Sequence, residues 1–107
     1  MGSKDERLSA RSVLYIRAKA GRRDELVALF DRLEILEKAS RQEGFISSEV
    51  HVPVDGEDLV LVTATWESAD AYQGWLDNPV REEMRADLEA LAEGEPESRV
   101  YEIVKSR

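Results

Sequence analysis

A chain of 107 residues, 42% hydrophobic and 36% charged, has the size and composition of one globular domain and no room for a second core. Its formal charge of −8, from 15 basic and 23 acidic side chains, repels phosphate backbones and anionic bilayers, so neither nucleic acid nor a membrane is an expected partner. No cysteine and a single histidine, His51, leave no disulfide, no thiolate nucleophile and no multi-histidine metal site, and the cysteine-free composition fits a reducing cytoplasm.

Residues 1–11 are polar, charged and aperiodic and read as a flexible tail, with Met1-Gly2-Ser3 as a tag remnant; the domain proper is expected over 12–107. Ser12 to Ala18 is β-branched and aromatic and predicts a first strand, with Val13, Tyr15 and Arg17 on one face and Leu14, Ile16 and Ala18 on the other. Gly21 breaks the run. From Arg22 to about Glu43 the period becomes helical: Leu26, Phe30, Leu33 and Leu36 recur at three- and four-residue steps, and Gly44 supplies a left-handed stop. Phe45 to Val52 is a second strand, with Phe45, Ser47, Glu49 and His51 expected on one face. Asp55-Gly56 is hairpin chemistry, and Asp58 to Trp66 returns as an antiparallel third strand.

That strand ends on Trp66, and a helix starts at once behind Ser68, a good N-cap, with Asp70 in its first turn. It runs to about Leu76. Pro79 then opens a second helical piece striped by Val80, Met84, Leu88 and Leu91. Ser98 to Val104 is a last strand. The order strand, helix, strand, strand, helix pair, strand is the split βαβ of a ferredoxin-like α+β domain: a four-stranded antiparallel sheet with helices on one face. Leu59 and Leu61 on one side of strand three, with Val60, Val62 and Ala64 on the other, leave neither side polar. The sheet therefore needs a second cover, and a second copy of itself is the economical one, giving a homodimer in which two sheets form an α+β barrel.

Gly44-Phe45-Ile46-Ser47, the Asp55-Gly56 hairpin, the run Thr65-Trp66-Glu67-Ser68-Ala69-Asp70-Ala71-Tyr72 and Asn78-Pro79-Val80-Arg81 together resemble the antibiotic biosynthesis monooxygenase (ABM) superfamily of dimeric α+β barrels, over about residues 12–104. Its members include cofactor-free oxygenases of aromatic polyketides, quinol monooxygenases and haem-degrading enzymes. For the cofactor-free branch the resemblance implies a site of His51, Trp66, Tyr72 and Arg85, with Val62 standing where that branch has an asparagine. For the haem-degrading branch it matches Trp75 alone: Leu14 replaces an asparagine, and Met84 or Arg85 replaces the axial histidine.

The resemblance thus implies a cytoplasmic, cofactor-independent monooxygenase acting with dioxygen on a small aromatic, polyketide-like or quinol substrate. An electron-rich phenolate or enolate can itself reduce dioxygen, so the protein supplies a dry pocket, a base and donors for the anion. His51 would be the base, Arg85 the oxyanion partner and Tyr72 an orienting hydroxyl; Trp66, Trp75, Tyr15 and Phe45 would contact the ring. Each also has a structural reading: Trp66 and Tyr72 as core, His51 as a solvated or interface residue, Arg85 as a snorkelling surface cation. Glu82-Glu83 is no acid dyad, because adjacent helical residues point about 100° apart. A haem-binding relative and a non-catalytic dimeric binding domain are the alternatives.

Overall fold

The computed structural model describes residues 8–107. In chain order they form β1 (Ala10–Arg17), α1 (Arg23–Arg32), α2 (Ile35–Ser40), β2 (Phe45–His51), β3 (Leu59–Trp66), α3 (Ala69–Leu76), α4 (Val80–Leu91) and β4 (Glu97–Glu102). The expected tail falls mostly outside the described residues. Its last two positions do not belong to it: Ala10 and Arg11 pair with Trp66 and Thr65, so β1 starts two residues earlier than its apolar pattern suggests.

The four strands are ordered β2-β3-β1-β4 and every neighbouring pair is antiparallel, as expected for the ferredoxin-like α+β arrangement. The helices cover one face. Ile16, Val60, Ala64 and Trp66 from that face meet Leu26, Leu29 and Phe30 of α1, Ile35 and Ala39 of α2, Tyr72 and Trp75 of α3, and Met84 and Leu91 of α4. The other face is open. Val13, Tyr15, Leu61 and Thr63 lie at its centre, flanked by Arg11, Arg17, Glu49, His51, Arg99 and Tyr101.

Two departures from the sequence pattern matter. The helix expected over 22–43 is broken: Glu34 takes a left-handed conformation (φ 53°) between α1 and α2. At 100° per residue an unbroken helix would carry Ile35 about 180° from Leu26, facing water. The break turns Ile35 and Ala39 inward instead, and both are buried. The second departure is a β-bulge. Phe45 pairs with Trp66 and Ser47 with Thr65, so Ile46 is the extra residue. The bulge shifts the alternation by one, and Phe45 therefore joins Trp66 on the helix side rather than sharing a face with Ser47, Glu49 and His51.

The junction between β3 and α3 forms as expected. The Ser68 hydroxyl accepts from the Ala71 N–H at 3.4 Å. Ser68→Ala should cost about 1 kcal/mol, read as a lower urea midpoint with an unchanged m-value. Pro79 occupies the cap position of α4, where the Asn78 carboxamide oxygen accepts from the Val80 N–H at 3.0 Å. No helix among the described residues is long and apolar enough to cross a membrane.

Candidate functional site

Between the sheet and the helices lies a mostly apolar cavity of about 80 Å³. Its floor is the helix side of the sheet: Ser12 and Leu14 of β1, Ser48 of β2, and Val62, Ala64 and Trp66 of β3. Ile35, Leu36 and Ala39 of α2 close one side, which the break at Glu34 makes possible. Tyr72 and Trp75 of α3 and Arg81, Met84 and Leu88 of α4 close the other.

The aromatic walls are held by their polar ends. The Trp66 indole N–H donates to the buried Ser12 hydroxyl at 3.0 Å. The Phe45 ring meets the Trp66 ring edge-on at 5.4 Å, and Tyr72 lies tilted against it at 5.8 Å. The Tyr72 hydroxyl is hydrogen-bonded to the Ser98 hydroxyl on β4. With both polar tips committed to the sheet, Trp66 and Tyr72 offer the cavity ring surface rather than hydrogen bonds. Val62 adds a methyl surface to the same floor.

Arg81 is the cavity's cation. Its guanidinium carbon sits 6.0 Å from the centre of the Trp75 ring, a cation–π geometry. It makes no ion pair among the described residues, although the chain is strongly acidic. Its position follows from the start of α4, which Asn78 and Pro79 fix. Asn78 also donates to the Gln42 carboxamide oxygen at 3.4 Å, tying this turn to the end of α2.

Of the residues singled out in the sequence, Trp66, Tyr72 and Trp75 line the cavity, and Phe45 buttresses Trp66 from behind. His51 and Arg85 are not brought to it. Arg85 is 59% exposed and pairs with Glu82 at 3.2 Å and Glu89 at 3.8 Å. The apolar stripe of α4 explains the difference: at 100° per residue, Arg81 lies about 65° from the stripe's centre and Arg85 about 105°. That offset was the one signal in the sequence for Arg81. Ser12 and Ser98 carried none, because a serine in a strand announces no partner.

His51 projects from the opposite face of the sheet. There, Arg11, Ser47, Glu49, His51, Thr63 and Thr65 surround an open concavity of about 390 Å³. His51 Nε2 is 3.0 Å from the Thr63 hydroxyl and 3.2 Å from the Glu49 carboxylate. Both contacts use the same ring nitrogen, so the trio is not a proton relay, which needs the two nitrogens engaged on opposite sides. The Arg11 guanidinium donates to the Thr65 hydroxyl at 3.1 Å.

Tyr15 is on this open face as well, not in the cavity. Its hydrogen bond with Tyr101 holds its phenol above the ordinary tyrosine range. The raised folded-state value stabilises the neutral form, so the contribution is present below the ordinary tyrosine pKa and fades as pH rises through the raised one. Ultraviolet titration should resolve a late-ionising tyrosine, and Tyr101→Phe should bring it back toward the ordinary value.

Among the described residues no group of three or more His, Asp or Glu side chains could hold a metal ion. Fold and cavity together define a ferredoxin-like α+β domain with an aromatic, singly cationic chamber beneath its sheet. Residues 10–87 match the family model described as antibiotic biosynthesis monooxygenase, and the chain belongs to that family.

Solved structures share its fold. A monooxygenase from the gene ActVA-Orf6 of Streptomyces coelicolor, solved in complex with nanaomycin D, superposes with a TM-score of 0.79 at 24% identity, covering 96% of this chain and 94% of that one. The cofactor-independent oxygenase SnoaB from Streptomyces nogalater gives 0.75 at 20% identity, covering 92% and 96%. A conserved protein from Methanosarcina mazei Go1 gives 0.76 at 18% identity, covering 91% and 94%. No curated protein sequence matches the chain.

Proposed function

We propose that this protein is a cofactor-independent monooxygenase of the cytoplasm that oxidises a small, electron-rich aromatic with dioxygen inside the cavity beneath the sheet. The observation that carries the reading is the cavity's make-up: four aromatic side chains, Phe30, Trp66, Tyr72 and Trp75, with one cation, Arg81, and few other polar groups. A dihydroxy-aromatic substrate supplies all four electrons. Dioxygen places one atom on a ring carbon and leaves the other as water, so the ring becomes a hydroxyquinone. The walls exclude water and stack on the ring, and the Arg81 guanidinium favours the ionised, oxygen-reactive form of the substrate. Membership of the family and the likeness to SnoaB and the ActVA-Orf6 enzyme support the reaction class.

The open sheet face, with Val13, Tyr15, Leu61 and Thr63 at its centre, is proposed to receive a second copy of the chain, giving a homodimer; light scattering reporting a dimer mass is the expected result. Haem does not fit this interior. A cavity of about 80 Å³ is far too small for a porphyrin, His51 lies across the sheet, and among the described residues Met84 is the one soft donor lining it.

Oxygen-electrode assays after anaerobic mixing with single-ring quinols test the activity. Uptake above the uncatalysed rate is expected, and uptake no faster than buffer would sink the reading. Trp75→Ala should lower the rate roughly tenfold or more, whereas His51→Ala and Arg85→Ala should stay within about twofold of the unsubstituted protein. A collapse of the rate in His51→Ala would move the chemistry to the other face of the sheet.

A further inference from the structure

We propose that the inner cavity selects a single-ring aromatic bearing an anionic oxygen, and that Arg81 is the residue that reads that charge. The inference rests on the inner cavity being the substrate site, but not on oxygen chemistry occurring there.

Size is the first argument. The cavity is about 80 Å³. An apolar cavity of ~150 Å³ in another protein is known to take benzene. The space here is about half of that, so a single ring enters only as lining side chains rotate outward, and a fused three-ring skeleton would need several times more room. The floor offers little give: Ser12, Ala64 and Trp66 are all buried, and they belong to the two central strands.

Charge is the second argument. Arg22, Arg23 and Arg85 each have a carboxylate within 4 Å, but half-buried Arg81 has none among the described residues. A partly desolvated cation without a counter-ion is unfavourable, and a ligand anion relieves it. A guanidinium also presents a planar fork that matches a carboxylate or a pair of adjacent oxygens.

Uncommitted polar groups are the third. Ser12 is engaged by Trp66, and the Tyr72 hydroxyl by Ser98. Arg81 and the Ser48 hydroxyl remain to orient a ligand.

Both tryptophans of the chain line this cavity, so their fluorescence reports binding there. Under anaerobic conditions, the full chain is titrated with 2,5-dihydroxybenzoate, its methyl ester and 1,8-dihydroxyanthrone. The acid should bind at least about tenfold more tightly than the ester, in line with a charge-assisted contact. The anthrone should bind more weakly than either. Arg81→Gln should bring the acid down to the ester's affinity while leaving the ester unchanged, and Arg81→Lys should restore part of the gap.

Equal affinity for acid and ester, tighter binding of the anthrone, or no quenching by any of them at millimolar concentration overturns the proposal. The acid-to-ester ratio of the unsubstituted protein decides the matter even if Arg81→Gln folds poorly. Arg81-dependent binding of the acid without oxygen uptake would remove the oxygenase reading and leave this one standing. Oxygen uptake that favours the ester or the anthrone would do the reverse.

Discussion

Trp66→Ala should be the most destabilising single side-chain truncation in this protein. The indole is 1% exposed and is held from three sides, by Ser12, Phe45 and Tyr72. Removing it opens a large void beneath α3, and truncations of buried aromatics of this kind cost about 3–5 kcal/mol. For a domain of this size that is a fall in Tm of roughly 15 °C or more.

The hydrogen bond can be separated from the packing. Trp66→Phe keeps an aromatic ring but strands the Ser12 hydroxyl, and Ser12→Ala strands the indole N–H; each orphaned buried group should cost about 1–3 kcal/mol beyond the packing change. Trp66→Phe with Ser12→Ala leaves neither group stranded, so the double variant should be more stable than the sum of the two losses. A double-mutant cycle by urea denaturation reads that difference. Strict additivity would mean that the bond contributes nothing.

Gly44→Ala should cost nearly as much by a different route. Gly44 stands at φ 87°, and a Cβ there would lie 2.5 Å from the Ala71 Cβ. Its carbonyl accepts from the Glu67 N–H at 2.8 Å, so the chain cannot back away without breaking the contact that seats α3. Left-handed strain costs an L-residue about 1–2 kcal/mol and overpacking about 1–3, giving a loss of about 2–5 kcal/mol by thermal or urea melting. Combining it with Ala71→Gly should recover the clash but not the backbone strain. Full recovery would show that φ contributes little.

Much of this architecture was legible in the sequence because short-range chemistry enforces it. The Asp55-Gly56 hairpin, the Ser68 cap and the Asn78-Pro79 break each act within a few residues, and the elements they bound are found within one or two residues of expectation. What escaped was set by contacts distant in sequence. Glu34 adopts its left-handed conformation because Ile35 and Ala39 have a sheet to meet, which no local pattern reveals.

The site was legible in the same uneven way. Trp66, Tyr72 and Trp75 lie where strand and helix periodicity place them. His51 falls on the far side of the sheet by simple alternation from Val50, which faces the core. Family resemblance supplied residue types, but side-chain direction decided which of them share a cavity. That is how Arg81, one turn before Arg85, comes to be the cation inside.

The bulge at Ile46 makes β2 a strand written in two frames. Upstream of it, odd-numbered Phe45 belongs to the core; downstream, odd-numbered Ser47, Glu49 and His51 belong to the open face. A comparison of this strand with a relative that lacks the extra residue must shift by one position at that point, or it will pair core side chains with surface ones. Deleting Ile46 would merge the frames and swing Phe45 out from behind Trp66 into the territory of His51. One half-exposed isoleucine, with no chemistry of its own, thus sets which side of the sheet a neighbouring aromatic serves.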